Sequence, residues 1–343
     1  MHRFEWLNAT SVAEAAGAGA TTVAAAMMAP TGGRVSQDAI LVKAGGIDLL
    51  DLMKEGLLQP RRVVNLRGIV GLDQVIEQND GTVRVGAMVT LATLDSNDVI
   101  LQRYAALASA AGNSASPQIR NVATLGGNLL QRPRCWYFRS AHHHCARKGG
   151  EVCFAFGGDN RYHAIFDQSG CAIVHPSTSA TALVALGAGV ELAQPDGARR
   201  VIPLEQFFLL PDKDITRENN LKPGELLSAI VLPKLSSSAK SAHLKQGEKD
   251  SFDWPIADVA VLLDRDPNGL CTKVSIVLGS AAPVPHRAKA AEASLTGKPA
   301  QEQTARDAAH AAITGAAPLS KNAYKLPIFE TLVRRAILDA AQV

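Results

Sequence analysis

Short apolar runs divide most of the chain into strands and helices. Runs rich in β-branched residues predict strands, and apolar positions spaced by three or four residues predict helices. The predicted strands of the first two thirds cover residues 39–42, 62–66, 83–87, 190–192, 200–202 and 226–232. The predicted helices cover residues 11–28, a segment that begins at residue 48, and residues 90–94, 104–112 and 180–186. The turn Pro195-Asp196-Gly197 predicts that two of these strands form a hairpin.

A change to short polar residues at 233–238 indicates a domain boundary. Beyond it, apolar runs predict strands at residues 259–263 and 273–278. Alanine-rich amphipathic segments predict helices at residues 288–295, 301–313 and 328–341. The pattern therefore predicts an α+β protein with a first domain over residues 1–235 and a smaller α+β domain over residues 236–343.

Two pairs of adjacent glycines are candidates for anion binding. Gly45-Gly46 follows a predicted strand and precedes a predicted helix, and Gly126-Gly127 is predicted to form a second turn, followed by Asn128. Glycine lets a backbone approach a phosphate closely, and the N–H groups at the start of a helix favour an anion. Neither pair matches the dinucleotide or P-loop fingerprints. Each pair also has a simpler interpretation as a tight turn at the end of a strand.

Four of the five cysteines lie between residues 135 and 171, spaced C-x9-C-x7-C-x17-C. The segment around them lacks an apolar period, so it buries too little hydrocarbon to order itself. Its thiols could hold a [4Fe–4S] cluster. They could also hold zinc, although paired C-x2–4-C motifs are absent, or they could remain unligated. Cys271, in a predicted strand, is interpreted as a core residue.

Other residues of this segment have open interpretations. His142-His143-His144 favours a solvated loop over a metal site, because consecutive side chains do not easily face one ion. Trp136, Tyr137 and Phe138 are predicted to pack the segment against the rest of the protein. The basic residues could neutralise an anionic group or form a solvated face: Arg120, Arg132, Arg134, Arg139, Arg147 and Lys148.

The overall composition is that of an ordinary globular protein. The chain has 343 residues, 47% hydrophobic residues, 20% charged residues and a net charge of +3. The small charge argues against a nucleic-acid partner, and the lack of a long apolar run argues against membrane insertion. We identify no secretory signal, so we expect a cytoplasmic protein, or a periplasmic one exported folded on a signal-bearing partner. No nucleophile elbow indicates a Ser-His-Asp triad.

An ordered series of motifs resembles the FAD-binding medium subunits of molybdenum hydroxylases, which include xanthine dehydrogenase, carbon monoxide dehydrogenase and bacterial aldehyde oxidoreductases. The motifs are A-G-G-I-D-L-L-D-L-M-K at 44–54, V-G-A at 85–87, I-R-N-V-A-T-L-G-G-N-L at 119–129, H-P-S at 175–177, K-P-G-E-L-L at 222–227, Lys245 and G-S-A-A-P-V-P-H-R at 279–287. The resemblance implies a two-part FAD-binding domain of the vanillyl-alcohol-oxidase type. Its subdomains would cover about residues 1–60 and 61–235, and a C-terminal domain of the CO dehydrogenase flavoprotein type would follow.

The resemblance also implies which residues contact FAD. A first loop would wrap the pyrophosphate through Leu41, Val42, Lys43, Ala44, Gly45, Gly46, Ile47, Asp48 and Leu49. A second loop would contribute Thr124, Gly127 and Asn128, and other contacts would come from His175, Ser177, Leu227 and Lys245. Two positions depart from the family pattern, since Ile47 replaces a threonine and Thr178 replaces an aspartate. They put single hydrogen bonds in doubt.

The cysteine insert, at residues 132–172, resembles that of periplasmic aldehyde oxidoreductase flavin subunits. Its C-W-Y-F start at 135–138 is shared, and the resemblance implies a [4Fe–4S] cluster held by Cys135, Cys145, Cys153 and Cys171. It further implies electron transfer between a large molybdopterin-binding subunit, a small [2Fe–2S] subunit and an external acceptor. No catalytic acid or base is expected in this chain. The alternatives are a stand-alone flavin oxidoreductase whose insert binds zinc or nothing, and a scaffold that has lost its flavin.

Overall fold

The computed structural model describes residues 2–19, 21–28, 37–249 and 251–342. Within these residues the strands form three sheets of three, five and four strands, with helices packed against them. The predicted α+β class is therefore confirmed.

The first sheet is parallel and has the order β1-β3-β2, with β1 Glu5–Asn8, β2 Ile40–Lys43 and β3 Arg62–Asn65. Its helices are α1 Val12–Ala18, α2 Val23–Met27 and α3 Ile47–Lys54. The predicted continuous helix over residues 11–28 is wrong, because α1 ends at Gly19, whose N–H donates to the carbonyl of Ala15. Glycine is a poor helix former, and a second helix starts after the Thr22 cap. Residue 20 of the predicted helix lies outside the described residues.

The second sheet is antiparallel, and its strand order is β4-β5-β8-β6-β7. The strands are β4 Val75–Glu77, β5 Val83–Gly86, β6 Gly189–Ala193, β7 Arg199–Pro203 and β8 Leu226–Leu232. The helices of this part are α4 Leu91–Ser96, α5 Asp98–Arg103, α6 Ala105–Gly112, α7 Pro117–Arg120, α8 Leu125–Leu129, α9 Trp136–Arg139, α10 Thr178–Ala185 and α11 Leu204–Phe207. The predicted β6–β7 hairpin is confirmed. Helix α10 is buried along its whole length, so it forms the centre of the core.

The third sheet is antiparallel and has the order β12-β11-β10-β9. Its strands are β9 Lys240–Gln246, β10 Ala257–Arg265, β11 Cys271–Gly279 and β12 His286–Arg287, and its helices are α12 Lys289–Leu295, α13 Glu302–Ala312 and α14 Lys325–Gln342. Cys271 is fully buried, which confirms its core interpretation. Ala260 and Leu262 of β10 join the same hydrophobic core as α10, so the third sheet packs directly on the second part of the chain.

None of the helices in the described ranges is long and apolar enough to cross a membrane. Helix α14, for example, carries Arg334 and Arg335 in the middle of its length. Its apolar face, including Phe329 and Val333, is buried against the core of the third sheet.

Candidate functional site

A long cleft with a volume of about 230 Å³ lies between the first sheet, helix α8 and strands β8 and β9. Both glycine pairs lie on its wall, and Lys245 and Trp254 line it from the C-terminal part of the chain.

The first glycine pair forms the predicted strand-to-helix turn between β2 and α3. Gly46 caps α3 with φ +90°, a conformation that favours glycine. A Cβ on Gly45 would lie 2.2 Å from the carbonyl oxygen of Val122, so only glycine fits where this loop meets the second one. The first N–H groups of α3 have no acceptor within the helix. They are therefore suited to bind an anion in the cleft.

The second glycine pair is part of a helix, and the prediction of a turn there is wrong. Gly126 and Gly127 lie inside the short helix α8, whose start is capped by Thr124. The Thr124 hydroxyl accepts a hydrogen bond from the Gly127 N–H at 3.2 Å. Gly126 packs closely on Ala87, where a Cβ would lie 2.9 Å from the alanine Cβ. The absence of side chains thus lets α8 approach both the second sheet and the cleft.

All but three of the residues that the resemblance assigns to FAD line this cleft. Leu41 is fully buried in the core of the first sheet. Ser177 lies behind the wall, where its hydroxyl donates to Asn128 Oδ1 at 2.5 Å and so holds a residue that does line the cleft. His175 is buried against Phe208 at a ring distance of 4.4 Å. Burial lowers the pKa of His175 to about 3, so this imidazole is neutral at pH 7.

The two departures from the family pattern also face the cleft. Ile47 has 41% of its surface exposed there. The Thr178 hydroxyl lies 2.6 Å from the Ser114 hydroxyl and donates to the carbonyl of Ala110 at 3.1 Å. Thr178 therefore connects α10 to α6, in a position where the family's aspartate would bring a negative charge.

Lys245, on strand β9, is held at the cleft by two backbone carbonyls. Its amino group donates to Asn113 at 2.8 Å and to Asp253 at 3.0 Å. Burial lowers its pKa from the ordinary lysine value. Lys43, on the opposite wall, has a lowered pKa because of burial and the nearby Arg67.

Several polar residues of the cleft were not predicted from the sequence: Arg217, Glu218, Asn219, Lys222, Glu225 and Asp253. The K-P-G-E-L-L series at 222–227 is one of the motifs that carry the resemblance, but of this series the resemblance assigns only Leu227 to the flavin. The carboxylate of Glu225 is paired with Arg200 at 2.9 Å, which is a structural contact between strands and loop. Five of these residues lie in the irregular segment between α11 and β8, and Asp253 lies between β9 and β10; the sequence gives no periodic signal for either segment.

Asp48 ties the first glycine loop to the start of the cysteine insert. Its carboxylate accepts hydrogen bonds from the Arg132 N–H at 2.9 Å, from Arg134 at 2.8 Å and from Arg139 at 2.5 Å. Arg139 also lies 3.5 Å from Glu55. The structure thus places these arginines in ion pairs rather than on a solvated face.

The four clustered cysteines line one small cavity. Cys145 and Cys171 are buried, whereas Cys135 and Cys153 are half-buried, and all four are free thiols. The fold therefore brings together thiols that are up to 36 residues apart in the sequence.

Buried donors surround these thiols. Burial raises the pKa of Cys135 to about 12, and it also raises that of Cys145. The pKa of Cys171 is lowered by the hydrogen bond from Cys153 and by the charge of Arg147, whose Nε lies 3.4 Å from the Cys171 sulfur. His163 Nε2 lies 3.2 Å from the Cys135 sulfur. The hydrogen bond and the positive charge of Arg147 stabilise the Cys171 thiolate and lower the affinity of this sulfur for a proton.

Across residues 2–19, 21–28, 37–249 and 251–342, no three His, Cys, Asp or Glu side chains are grouped so that they could hold an ion. Zinc in a structural site takes four ligands, and a [4Fe–4S] cluster takes four thiolates. The four thiols that line this cavity have the chemistry that either would require.

Tyr137 and Phe138 pack in the insert, as predicted, whereas Trp136 is exposed. Phe138 is buried, and the Tyr137 hydroxyl accepts a hydrogen bond from the Asp159 N–H at 2.7 Å. His142 and His144 are exposed, as expected for a solvated loop. His143 differs, because its ring packs between Tyr137 and Phe154 at ring distances of 5.2 and 5.1 Å.

Comparisons with known proteins agree with this architecture. A family model described as the FAD binding domain in molybdopterin dehydrogenase matches residues 2–235, and one described as the CO dehydrogenase flavoprotein C-terminal domain matches residues 242–340. The chain is 34% identical over 300 residues to the aldehyde oxidoreductase FAD-binding subunit PaoB of Escherichia coli K12, covering 87% of this chain and 90% of the relative. It is 29% identical over 309 residues to the carbon monoxide dehydrogenase medium chain of Hydrogenophaga pseudoflava, covering 89% and 90%.

A solved structure shows the same fold. The carbon monoxide dehydrogenase of Hydrogenophaga pseudoflava, in a form that lacks the Mo-pyranopterin moiety, superposes with a TM-score of 0.71 at 28% identity, covering 99% of this chain and 98% of that chain. The family resemblance and the fold predicted from the sequence are thereby confirmed. The chain belongs to the family of FAD-binding medium subunits of molybdenum hydroxylases, which are subunits of oxidoreductase complexes.

Proposed function

We propose that this chain binds FAD in the long cleft and a [4Fe–4S] cluster in the cysteine cavity. In this proposal it carries electrons within a heterotrimeric molybdenum hydroxylase. A large molybdopterin-binding subunit would oxidise an aldehyde or N-heterocycle, and a small [2Fe–2S] subunit would pass the electrons to this chain. They would leave to an external acceptor.

The observation that carries the proposal is the close approach of two glycine-containing loops beside a four-cysteine cavity. Gly45 touches the backbone of Val122, which immediately precedes the segment leading to α8. This contact places the N-terminus of α3 and the N-terminus of α8 on one wall of the cleft. The first N–H groups of α3, which have no acceptor within that helix, support the binding of a pyrophosphate. The first N–H groups of α8 already donate to Val89, Ala87 and Thr124, so α8 contributes close packing at the wall of the cleft.

The protein's own residues would bind and orient the flavin. Asn128 lines the cleft and is fixed by the Ser177 hydroxyl, while Thr124 orders the start of α8. Lys245 is held by backbone carbonyls and offers a positive charge from the opposite side. When bound, FAD supplies a junction between one-electron transfer from iron–sulfur centres and two-electron transfer to an acceptor.

The cluster proposal rests on Cys135, Cys145, Cys153 and Cys171, which would be its ligands. Their convergence on one cavity supports this assignment, as does the hydrogen bond that Arg147 donates to the Cys171 sulfur. The insert begins with C-W-Y-F at 135–138, a start that resembles that of aldehyde oxidoreductase flavin subunits. This resemblance also supports the cluster assignment.

We also propose that the chain divides near residue 235, with a first subdomain over about residues 1–60 and a second over 61–235 that contains the insert. The two family models match separate ranges on either side of this position, which supports the division. Residues 233–238 connect β8 to β9 and so link the second sheet to the third.

The test is anaerobic purification of the native protein together with any neighbouring chains. FAD, iron, acid-labile sulfide, zinc and molybdenum are quantified, and the other chains are identified by mass spectrometry. About four irons and four sulfides per FAD support the proposal. Stoichiometric zinc would instead support a structural insert in a stand-alone flavin oxidoreductase. A colourless preparation without FAD would refute the flavin assignment.

A further inference from the structure

Three buried charged residues connect the long cleft to the cysteine cavity. One carboxylate oxygen of Glu218 forms an ion pair with Arg132 Nη1 at 2.8 Å, and the other accepts a hydrogen bond from Arg147 Nη1 at 2.5 Å. Side-chain exposure is only 3% for Arg132, 4% for Glu218 and 1% for Arg147. These residues are called the arginine–glutamate triad below.

Each end of the triad faces a different cavity. Arg132 and Glu218 line the long cleft, and Arg147 lines the cysteine cavity. Arg147 Nε donates to the Cys171 sulfur at 3.4 Å. Arg132 also donates to the Thr216 carbonyl at 3.0 Å, and its backbone N–H donates to Asp48 in the first glycine loop. The triad is therefore in contact with elements of both proposed cofactor sites.

The charge balance of the triad is not that of a simple ion pair. Two guanidinium groups share one carboxylate, so the three side chains together carry a net charge of +1 in a region sheltered from water. Asp48 near Arg132 and Asp214 near Arg147 are the next carboxylates. Buried guanidinium nitrogens of Arg132 and Arg147 have no hydrogen-bond partner among the residues that the structure describes. Burying such a charge is costly, and an apolar filling of similar volume often stabilises a protein as well or better. A negatively charged group in either cavity would provide the missing partner.

We propose that the arginine–glutamate triad sets the reduction potentials of both cofactors, raising that of the cluster through Arg147 and that of the flavin through Arg132. The proposal rests on the proposed function, since it requires both cofactors. A positive charge favours a centre that gains an electron, and a low local dielectric strengthens the effect. Glu218, placed between the arginines, partly cancels this charge at both sites.

The proposal predicts shifts of opposite sign for the two kinds of substitution. Arg147→Gln removes the positive charge and the donor to Cys171. It should lower the equilibrium constant for cluster reduction about tenfold, or about 59 mV for a one-electron couple. Glu218→Gln leaves both arginines and all four cysteines in place, and it should raise both potentials. A merely structural role would not produce these opposite shifts.

The experiment uses the native anaerobic complex, with the cluster titrated by electron paramagnetic resonance and the flavin by visible absorbance. Arg161→Gln is the matched control, because Arg161 is an exposed arginine of the same insert paired only with Asp159 in the described structure. Its potentials should equal those of the wild type. Arg132→Gln should lower the flavin potential more than the cluster potential.

The outcomes separate the two proposals. If Arg147→Gln loses iron, the reduction potentials are measured in Arg147→Lys and Glu218→Gln instead, because both variants keep a positive charge near Cys171. Potentials that stay unchanged, or fall, in Glu218→Gln while the wild type contains iron and FAD overturn the role of the triad alone. A wild-type complex without iron overturns the cluster assignment together with this inference.

Discussion

Replacing Gly45 with alanine tests the close approach of the two loops that form the proposed FAD site. The added Cβ would lie 2.2 Å from the Val122 carbonyl oxygen and 3.3 Å from the Ala123 Cα. Both neighbours are backbone atoms, so no side-chain rotation can relieve the overlap. The loops must separate, and binding of FAD must then restore their original spacing.

The magnitude follows from the cost of overpacking, which is typically about 1–3 kcal/mol. At 1.4 kcal/mol for each factor of ten, FAD should bind roughly 5- to 150-fold more weakly to Gly45→Ala. The dissociation constant is measured on flavin-depleted protein from the change in flavin fluorescence on binding. The free energy of unfolding of the flavin-free variant should fall by a smaller amount, because the separated loops relieve part of the strain.

Gly17→Ala is the matched control. Gly17 lies in α1, and its added Cβ would make an ordinary contact of 3.8 Å with Pro195. Alanine in a helix should stabilise the protein by about 0.5–1 kcal/mol and leave FAD binding unchanged. Wild-type FAD affinity in Gly45→Ala would refute the argument that these loops need their close contact to bind the flavin.

Three further predictions concern the insert and the core. Cys153→Ser should lower the iron content while FAD stays bound, because the thiols and the cleft are separate. Cys271→Ser serves as the control. Equal loss of flavin and iron from Cys153→Ser would contradict the assignment of Cys153 to the cluster. Asp48→Asn should reduce the free energy of unfolding by about 1.5–3 kcal/mol in denaturant titrations, because it weakens charged hydrogen bonds to the insert; an unchanged midpoint would contradict this. Burial lowers the pKa of Lys325 to about 7. Between about pH 7 and 10.5 this lysine is therefore protonated in the unfolded chain but mostly neutral in the folded chain. Because the unfolded chain binds more protons, the free energy of unfolding rises with pH in this range. Lys325→Met should remove that part of the pH dependence, and identical slopes for both proteins would show that Lys325 is not buried.

Local patterns were sufficient for most of the fold. The strand before Gly45-Gly46 and the helix after it follow from a β-branched run and an amphipathic repeat within fifteen residues. Strand β9 was missed because its two buried positions are Ser241 and His243 rather than apolar residues. His243 is tolerated there because Asp258 on β10 lies 3.3 Å from its Nε2. Such a compensation is invisible until the two strands are paired.

The candidate site shows the same limit more strongly. Motif order was enough to assign Asp48 and Thr124 to the cleft, where the structure places them. It gave no indication that Arg132, Glu218 and Arg147 are buried, because their ion pairs join residues more than 70 positions apart. For Arg132, Arg147 and Lys148 the alternative of a solvated face is excluded by burial. A charged residue in a sequence predicts an exposed side chain unless the residue that pairs with its charge is known.

The structure also explains how an insert without an apolar period is ordered. Its first residues are attached to Asp48 of the first glycine loop by the Arg132 N–H. Its last part reaches the opposite end of the chain, where the N–H of Ile165 donates to Ala281 at 2.8 Å and the buried Lys325 donates to the His163 carbonyl at 3.1 Å. Ile165 itself belongs to the hydrophobic core of the third sheet. The chain entropy of the insert is thus offset by contacts at both ends, and the cysteine cavity takes shape only where the N-terminal and C-terminal parts of the protein are packed together.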